Sequence, residues 1–160
     1  MSISDMPRQD SEDFREMSKN KRASDLPVMH CFLSCDGVSS EPSGKRSLHG
    51  LFDQIFATEF PTQFKPFALF VRLMGGSGKH AVTIQGTGTD EKLVGTHKSI
   101  DSKFKPTMGA EVVVQISPLS LLKPGVVRFV VNIDGKPIGW PCEITVGKLP
   151  TIGKSLKSKP

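Results

Sequence analysis

Cys31, Cys35 and Cys142, together with His30 and His49, carry the side chains best suited to bind a metal, since thiolate and imidazole are natural zinc ligands. Their local spacing works against a compact site. On a strand, Cys31 and Cys35 share one face but stand about 13 Å apart, four residues of strand rise, while His30 points to the other face. Zinc holds its ligands at about 2.0–2.3 Å, so the two cysteines could share an ion only where the strand ends or bends between them. Buried core thiols are the expected state, cysteine being among the most frequently buried residue types. No metal, cofactor or catalytic residue is assigned on this pattern.

The run Gly75-Gly76-Ser77-Gly78-Lys79-His80 has the texture of a phosphate loop, which requires G-x-x-x-x-G-K, then Ser or Thr, then a helix whose N–H groups cradle phosphate. It fails at each requirement. Leu73 stands where the first glycine belongs, His80 replaces the hydroxyl residue, and Ala81-Val82-Thr83-Ile84 continues as a strand. The run therefore reads as a connection between two strands. No G-x-S-x-G elbow occurs, and Ser120-x-x-Lys123 precedes a Pro124-Gly125 turn rather than lying on a helix.

A net charge of +5 raises the question of nucleic acid. Residues 27 to 147 carry ten acids and twelve bases, whereas residues 148 to 160 carry four lysines, Lys148, Lys154, Lys157 and Lys159, and no acid. The central part is thus nearly neutral, a weak footprint for a duplex binder. Single-strand binding calls for exposed aromatics interleaved with basic residues, but most Phe residues and Trp140 occupy alternating positions that read as buried. Nucleic acid is not an expected partner. At most the lysine tail adds a weak, salt-sensitive attraction to polyanions.

The elements that position these residues are short. Residues 1 to 26 mix six acids and five bases with little apolar periodicity and read as a disordered charged segment; residues 148 to 160 read as a disordered basic tail. Between them, residues 27 to 147 show short apolar runs cut by Gly, Pro and Asp about every ten residues, the pattern of an all-β domain. Strands are expected at Val28 to Cys35, Phe67 to Met74, His80 to Gln85, Leu93 to Thr96 and Glu111 to Ser117, with Phe67 to Met74 central because both its faces are apolar. Val126 to Val146 reads as a hairpin turning at Asp134-Gly135, a dipeptide that tolerates the positive φ of a type I′ turn. An uninterrupted register then sets Val131 against Ile138, Phe129 against Trp140 and Val127 against Cys142 on one buried face. Pro137 and Pro141 fall where a missing N–H breaks no hairpin bond, which marks Ile138 to Val146 as an edge strand. Residues 48 to 60 fit a helical stripe as well as a strand; Gly50 and the all-β surroundings favour the strand.

Three stretches, Met29-His30-Cys31-Phe32-Leu33-Ser34-Cys35-Asp36, Ser47-Leu48-His49-Gly50-Leu51-Phe52-Asp53, and Gly125-Val126-Val127-Arg128-Phe129 with the closing Ile138-Gly139, resemble a family of small bacterial β-sandwich domains without an assigned activity. The resemblance covers residues 27 to 147. It implies an antiparallel sandwich, immunoglobulin-like in appearance, with about seven or eight strands, and makes Leu48 to Phe56 a strand.

The leading functional reading is a non-catalytic protein-binding or scaffold module that uses a sheet edge or the loops at one end. The alternatives are a metal-assisted or hydrolytic enzyme using His30 or His49, and weak nucleic-acid association through the lysine tail. Three cysteines, an opening segment unlike a secretory leader, and no run approaching the ~18 apolar residues of a membrane helix point to a soluble cytoplasmic protein whose partner is another protein.

Overall fold

The computed structural model describes residues 25–150. Most of the two expected disordered ends, 1–26 and 148–160, lies outside these residues; Asp25, Leu26, Lys148, Leu149 and Pro150 fall within them. Among the described residues the chain is all-β, with eleven strands and no helix. In chain order these are β1 (Val28–Ser40), β2 (Arg46–Leu51), β3 (Gln54–Ala57), β4 (Thr62–Phe64), β5 (Phe67–Met74), β6 (Gly78–Thr87), β7 (Leu93–Phe104), β8 (Gly109–Ile116), β9 (Leu119–Leu121), β10 (Gly125–Ile133) and β11 (Lys136–Lys148). The count exceeds the seven or eight expected because the ambiguous 48 to 60 region and its neighbours break into short pieces.

Two sheets, ordered β2-β1-β5-β8 and β3-β11-β10-β6-β7, are packed in a sandwich-like arrangement, and the pair β4-β9 forms a third, small sheet. That third sheet prolongs the first. Phe67 pairs with Ile116 in the β5–β8 ladder, and three residues further along each strand Phe64 pairs with Leu119, so the register is unchanged. The break falls at Pro66 and Pro118, which cannot donate to a ladder.

The core lies between the sheets, with Leu69, Val71, Leu73, Val112 and Val114 from the first facing Val82, Ile84, Val127, Phe129, Val131, Ile133 and Ile144 from the second. Phe67 and Phe129 meet across the interface edge to face at 6.1 Å, the geometry that aromatic quadrupoles favour. β5 is central, as its composition requires, and Ala68 and Phe70 on its outward face are buried too. The β1–β2 hairpin leans over that face, bringing Arg46 within 3.4 Å of Glu111 on β8.

The β10–β11 hairpin turns at Asp134 and Gly135, both at positive φ (50° and 79°), as a type I′ turn demands. Val131 pairs with Ile138 as expected, but the register then shifts, so Phe129 faces Cys142 and Val127 faces Ile144. Three residues of β11, Gly139 to Pro141, lie opposite Val130 alone. Gly139 adopts a φ of 63°, and an added Cβ there would stand 2.8 Å from Met29 Cβ, so β1 crosses close over the bulge. Trp140 is consequently not the buried partner of Phe129; it is 84% exposed. Alternation could not reveal this, since the two extra residues of the bulge leave Cys142, Ile144 and Val146 on the buried face and change only their partners.

β11 is also not an edge throughout. Its last turn of pairing, Thr145 to Lys148, is covered by β3 in a parallel ladder, an exception to the antiparallel pairing elsewhere. Residues 48 to 60 are thus extended, but β2 belongs to one sheet and β3 to the other. The chain changes sheets at Phe52 and Asp53: Phe52 N donates to Ser34 O at 3.2 Å, and Asp53 O accepts from Thr145 N at 2.8 Å.

The bulge yields a stability test. Gly139→Ala adds a Cβ to a left-handed residue against β1 and should cost about 1–3 kcal/mol in chemical denaturation. Gly37→Ala, in a strand position with nothing within 4 Å, should change stability by no more than about 0.5 kcal/mol.

Candidate functional site

The structure separates the sequence-selected residues. His30 is exposed near the start of β1, while His49 pairs opposite Gly37, seven residues further along, or about 23 Å of strand rise. His49 Nε2 meets the Ser39 hydroxyl at 2.8 Å on the exposed β1–β2 hairpin. Cys35 and Cys142 are buried, on different sides of β1: Ser34 lies against Cys142, which belongs to the core cluster, and the neighbouring Cys35 points the opposite way. Cys31 is half-buried, and all three thiols are free. Burial pushes the Cys35 thiol up, opposed by a hydrogen bond from the Gly37 backbone. Burial likewise raises Cys142 against the Ser34 hydroxyl beside it. Both therefore hold their protons near neutral pH, unlike the thiolates that act as nucleophiles or metal ligands. Among the described residues no group of three or more His, Cys, Asp and Glu side chains is placed to hold a metal.

Of the phosphate-loop look-alike, Gly75 to Ser77 connect β5 to β6, and Gly78, Lys79 and His80 open β6. The last residue of that run, His80, does have a defined task. His80 Nδ1 donates to Asp134 Oδ2 at 2.7 Å, and Nε2 donates to the carbonyls of Ser77 (2.9 Å) and Asp25 (3.0 Å). All three partners are acceptors, so the protonated ring fits best. Asp134 in turn accepts from Ala81 N at 2.9 Å, and the Ser77 hydroxyl donates to Asp25 at 2.9 Å. The cluster ties the entry to β1, the β5–β6 loop and the β10–β11 turn together. With both nitrogens engaged, His80 is a tie between loops rather than a free base. Sequence inspection had no local signal for it, because His80 and Asp134 are 54 residues apart.

A different region holds an open cleft. A cleft of about 390 Å³ opens where the sheets part beside the crossover, lined by Phe32, Leu33 and Ser34 of β1, Leu51 to Asp53, and Pro141 to Glu143 of β11. Its floor is held by the Ser34 hydroxyl, which donates to Phe52 O. Phe52 is fixed from behind by Phe64 and Phe67, each with its ring centroid 5.5 Å away. Asp53 and Glu143 are the charged residues lining it, and Glu143 is paired with Arg128 at 2.7 Å. Beside the cleft, the edge of β11 ahead of Thr145 is not covered by β3, and exposed Trp140 immediately precedes Pro141.

Two packed sheets with an open cleft at their seam define an all-β, sandwich-like domain. The chain belongs to DUF6941, a family of unknown function, whose sequence profile matches residues 30–146. That span agrees with the stretch over which the resemblance was drawn. No curated protein matches the chain.

The His80 tie carries a pH signature. Hydrogen bonding to Asp134 lifts His80 above its ordinary value near 6.5, with burial opposing, and the same bond holds Asp134 below 3.8. A raised histidine stabilises fully below its unfolded value and loses that contribution as pH rises through the folded one; a lowered carboxylate contributes above its unfolded value and fades as pH falls through the folded one. The tie should therefore be strongest between about pH 4 and 6.5. Thermal unfolding of the native chain should show a midpoint advantage over Asp134→Asn in that window, shrinking as pH rises through the raised value of His80; a constant difference across the range would refute the assignment.

Proposed function

We propose that this domain is a non-catalytic protein-binding or scaffold module, and that it receives an extended segment of a partner protein at the cleft between β1 and β11. The observation that carries the reading is Trp140. A bulge holds the chain's one tryptophan 84% exposed beside a cleft with apolar walls, whereas an indole without a partner would gain by burial. Tryptophans of this kind dominate the energetics of protein interfaces. Leu33 and Leu51, lining the same cleft, are exposed as well.

The lining indicates the chemistry of the partner. Apolar side chains would fill the space beside Phe32, Leu33 and Phe52, and a lysine or arginine would meet Asp53 and Glu143. The same two carboxylates disfavour a phosphate backbone there. Addition of a full strand to β11 is disfavoured, because Pro137 and Pro141 remove donors and the Gly139 bulge breaks the edge. Side-chain recognition, with few backbone bonds, is the mode that suits this edge. His30 and His49 stand about 23 Å apart along β1, so the enzymatic alternative would rest on one of them alone. Free thiols favour a reducing, cytoplasmic setting. Among the described residues no helix is long and apolar enough to cross a membrane.

The test begins with a protein captured from the native host at moderate salt, then produced pure and titrated against the full chain. Trp140→Ala should raise the dissociation constant about 30-fold or more, as loss of a hot-spot tryptophan does, with the melting temperature unchanged. Leu93→Ala, at the opposite edge of the same sheet, should leave it within about twofold. Equal binding by native and Trp140→Ala chains would remove the cleft from consideration.

A further inference from the structure

β8 is the free sheet edge among the described residues that carries the fewest of the usual protections against pairing, its Glu111 being already paired with Arg46 and Arg72. β3 has only four residues. β2 carries Arg46 and Gly50 at a φ of 62° and is drawn over the outer face of its sheet by the Arg46–Glu111 pair. β7 shifts register twice against β6, and the open part of β11 has two prolines and a bulge. β8, in contrast, is an eight-residue strand, Gly109-Ala110-Glu111-Val112-Val113-Val114-Gln115-Ile116, in unbroken register with β5 and with no proline, lysine or arginine. Natural sheets seldom leave such an edge uncovered.

We infer that a second copy of this chain covers it, with two β8 strands pairing antiparallel about a two-fold axis at Val113 to join the four-stranded sheets into one of eight strands. The sequence of β8 is complementary to itself in this register. Paired residues must share a face, so the axis passes through a residue pair. Centred on Val113, the pairing sets Val113 against Val113, Val112 against Val114, Glu111 against Gln115 and Ala110 against Ile116. No like charges oppose, and Glu111, already held by Arg46 and Arg72, meets a neutral amide. Centring on Val112 instead would set Glu111 against Val113 and leave Ile116 beyond the paired strand.

The flank of the same side is apolar as well. A cavity of about 210 Å³ opens between the sheets there, lined by Val94 and Gly95 of β7 and by Val114, Gln115 and Ile116 of β8. Leu93 and Val94 on its β7 side are 63% and 42% exposed. An apposed copy would shield both. This surface lies across the sandwich from the β1–β11 cleft, so a dimer leaves both clefts open and presents two binding surfaces.

Sedimentation of the full chain should show a dimer that dissociates on dilution. Val113→Lys and Val113→Glu each set like charges face to face at the axis and should raise the dimer dissociation constant at least about tenfold. Mixed in equal amounts, the two variants should dimerise again, because Lys then faces Glu. A monomeric native chain, a dimer indifferent to either substitution, or a mixture that stays monomeric while both variants melt cooperatively would each overturn the inference. If a variant fails to fold, hydrogen exchange of the native chain decides: amides of β8 should gain protection with concentration, and concentration-independent exchange there would overturn it.

Discussion

A chain that leaves one sheet for another must find new partners for the backbone groups that the first ladder releases. Here that demand falls on Phe52 and Asp53. Phe52 exchanges hydrogen bonds with Ser34, through the backbone in one direction and the serine hydroxyl in the other, and Asp53 passes its carbonyl to Thr145. An unpaired backbone group out of reach of water costs about 1–3 kcal/mol, so the part-buried Phe52–Ser34 bonds fix where the crossing can occur. The parallel pairing of β3 with β11, the packing of Phe52 on Phe64 and Phe67, and the cleft above them all follow from that position. Ser34, Phe52 and Asp53 belong to the stretches by which the family resemblance was drawn.

Periodicity carried much of the architecture and failed at identifiable places. Phe67 to Met74 was legible as a central strand because burial on both faces leaves a nearly continuous apolar run. The hairpin turn was legible because Asp-Gly is a chemical solution to two successive positive φ angles. The bulge was not, since Gly139 and Trp140 look the same in a regular strand and in an interrupted one. What distinguishes them is Met29, over 100 residues earlier, lying against Gly139. The same holds at the candidate site: Pro141 was visible as a strand-edge signal, but the cleft it lines needs Phe32 and Phe52 brought beside it by pairings far apart in the chain. His80 was noticed only as a misfit in a glycine-rich loop, and its meaning came from Asp134 across the fold.

The two sides of the sandwich differ in how their edges are treated. On the β1–β11 side, prolines, a bulge and the short β3 leave a surface that side chains can enter but strands join poorly. On the β7–β8 side, β8 presents an unbroken run of β-branched residues. On the two proposals made above, one side serves recognition by side chains and the other association through backbone, and neither surface obstructs the other.

Trp140 has a practical consequence for anyone following this protein optically. The chain contains one tryptophan and no tyrosine, so its near-ultraviolet absorption and emission come almost entirely from an indole that already faces water in the folded state. Unfolding changes the surroundings of that ring little. Intrinsic fluorescence will therefore understate denaturation of the core, while reporting with little background on any molecule that settles against the bulge.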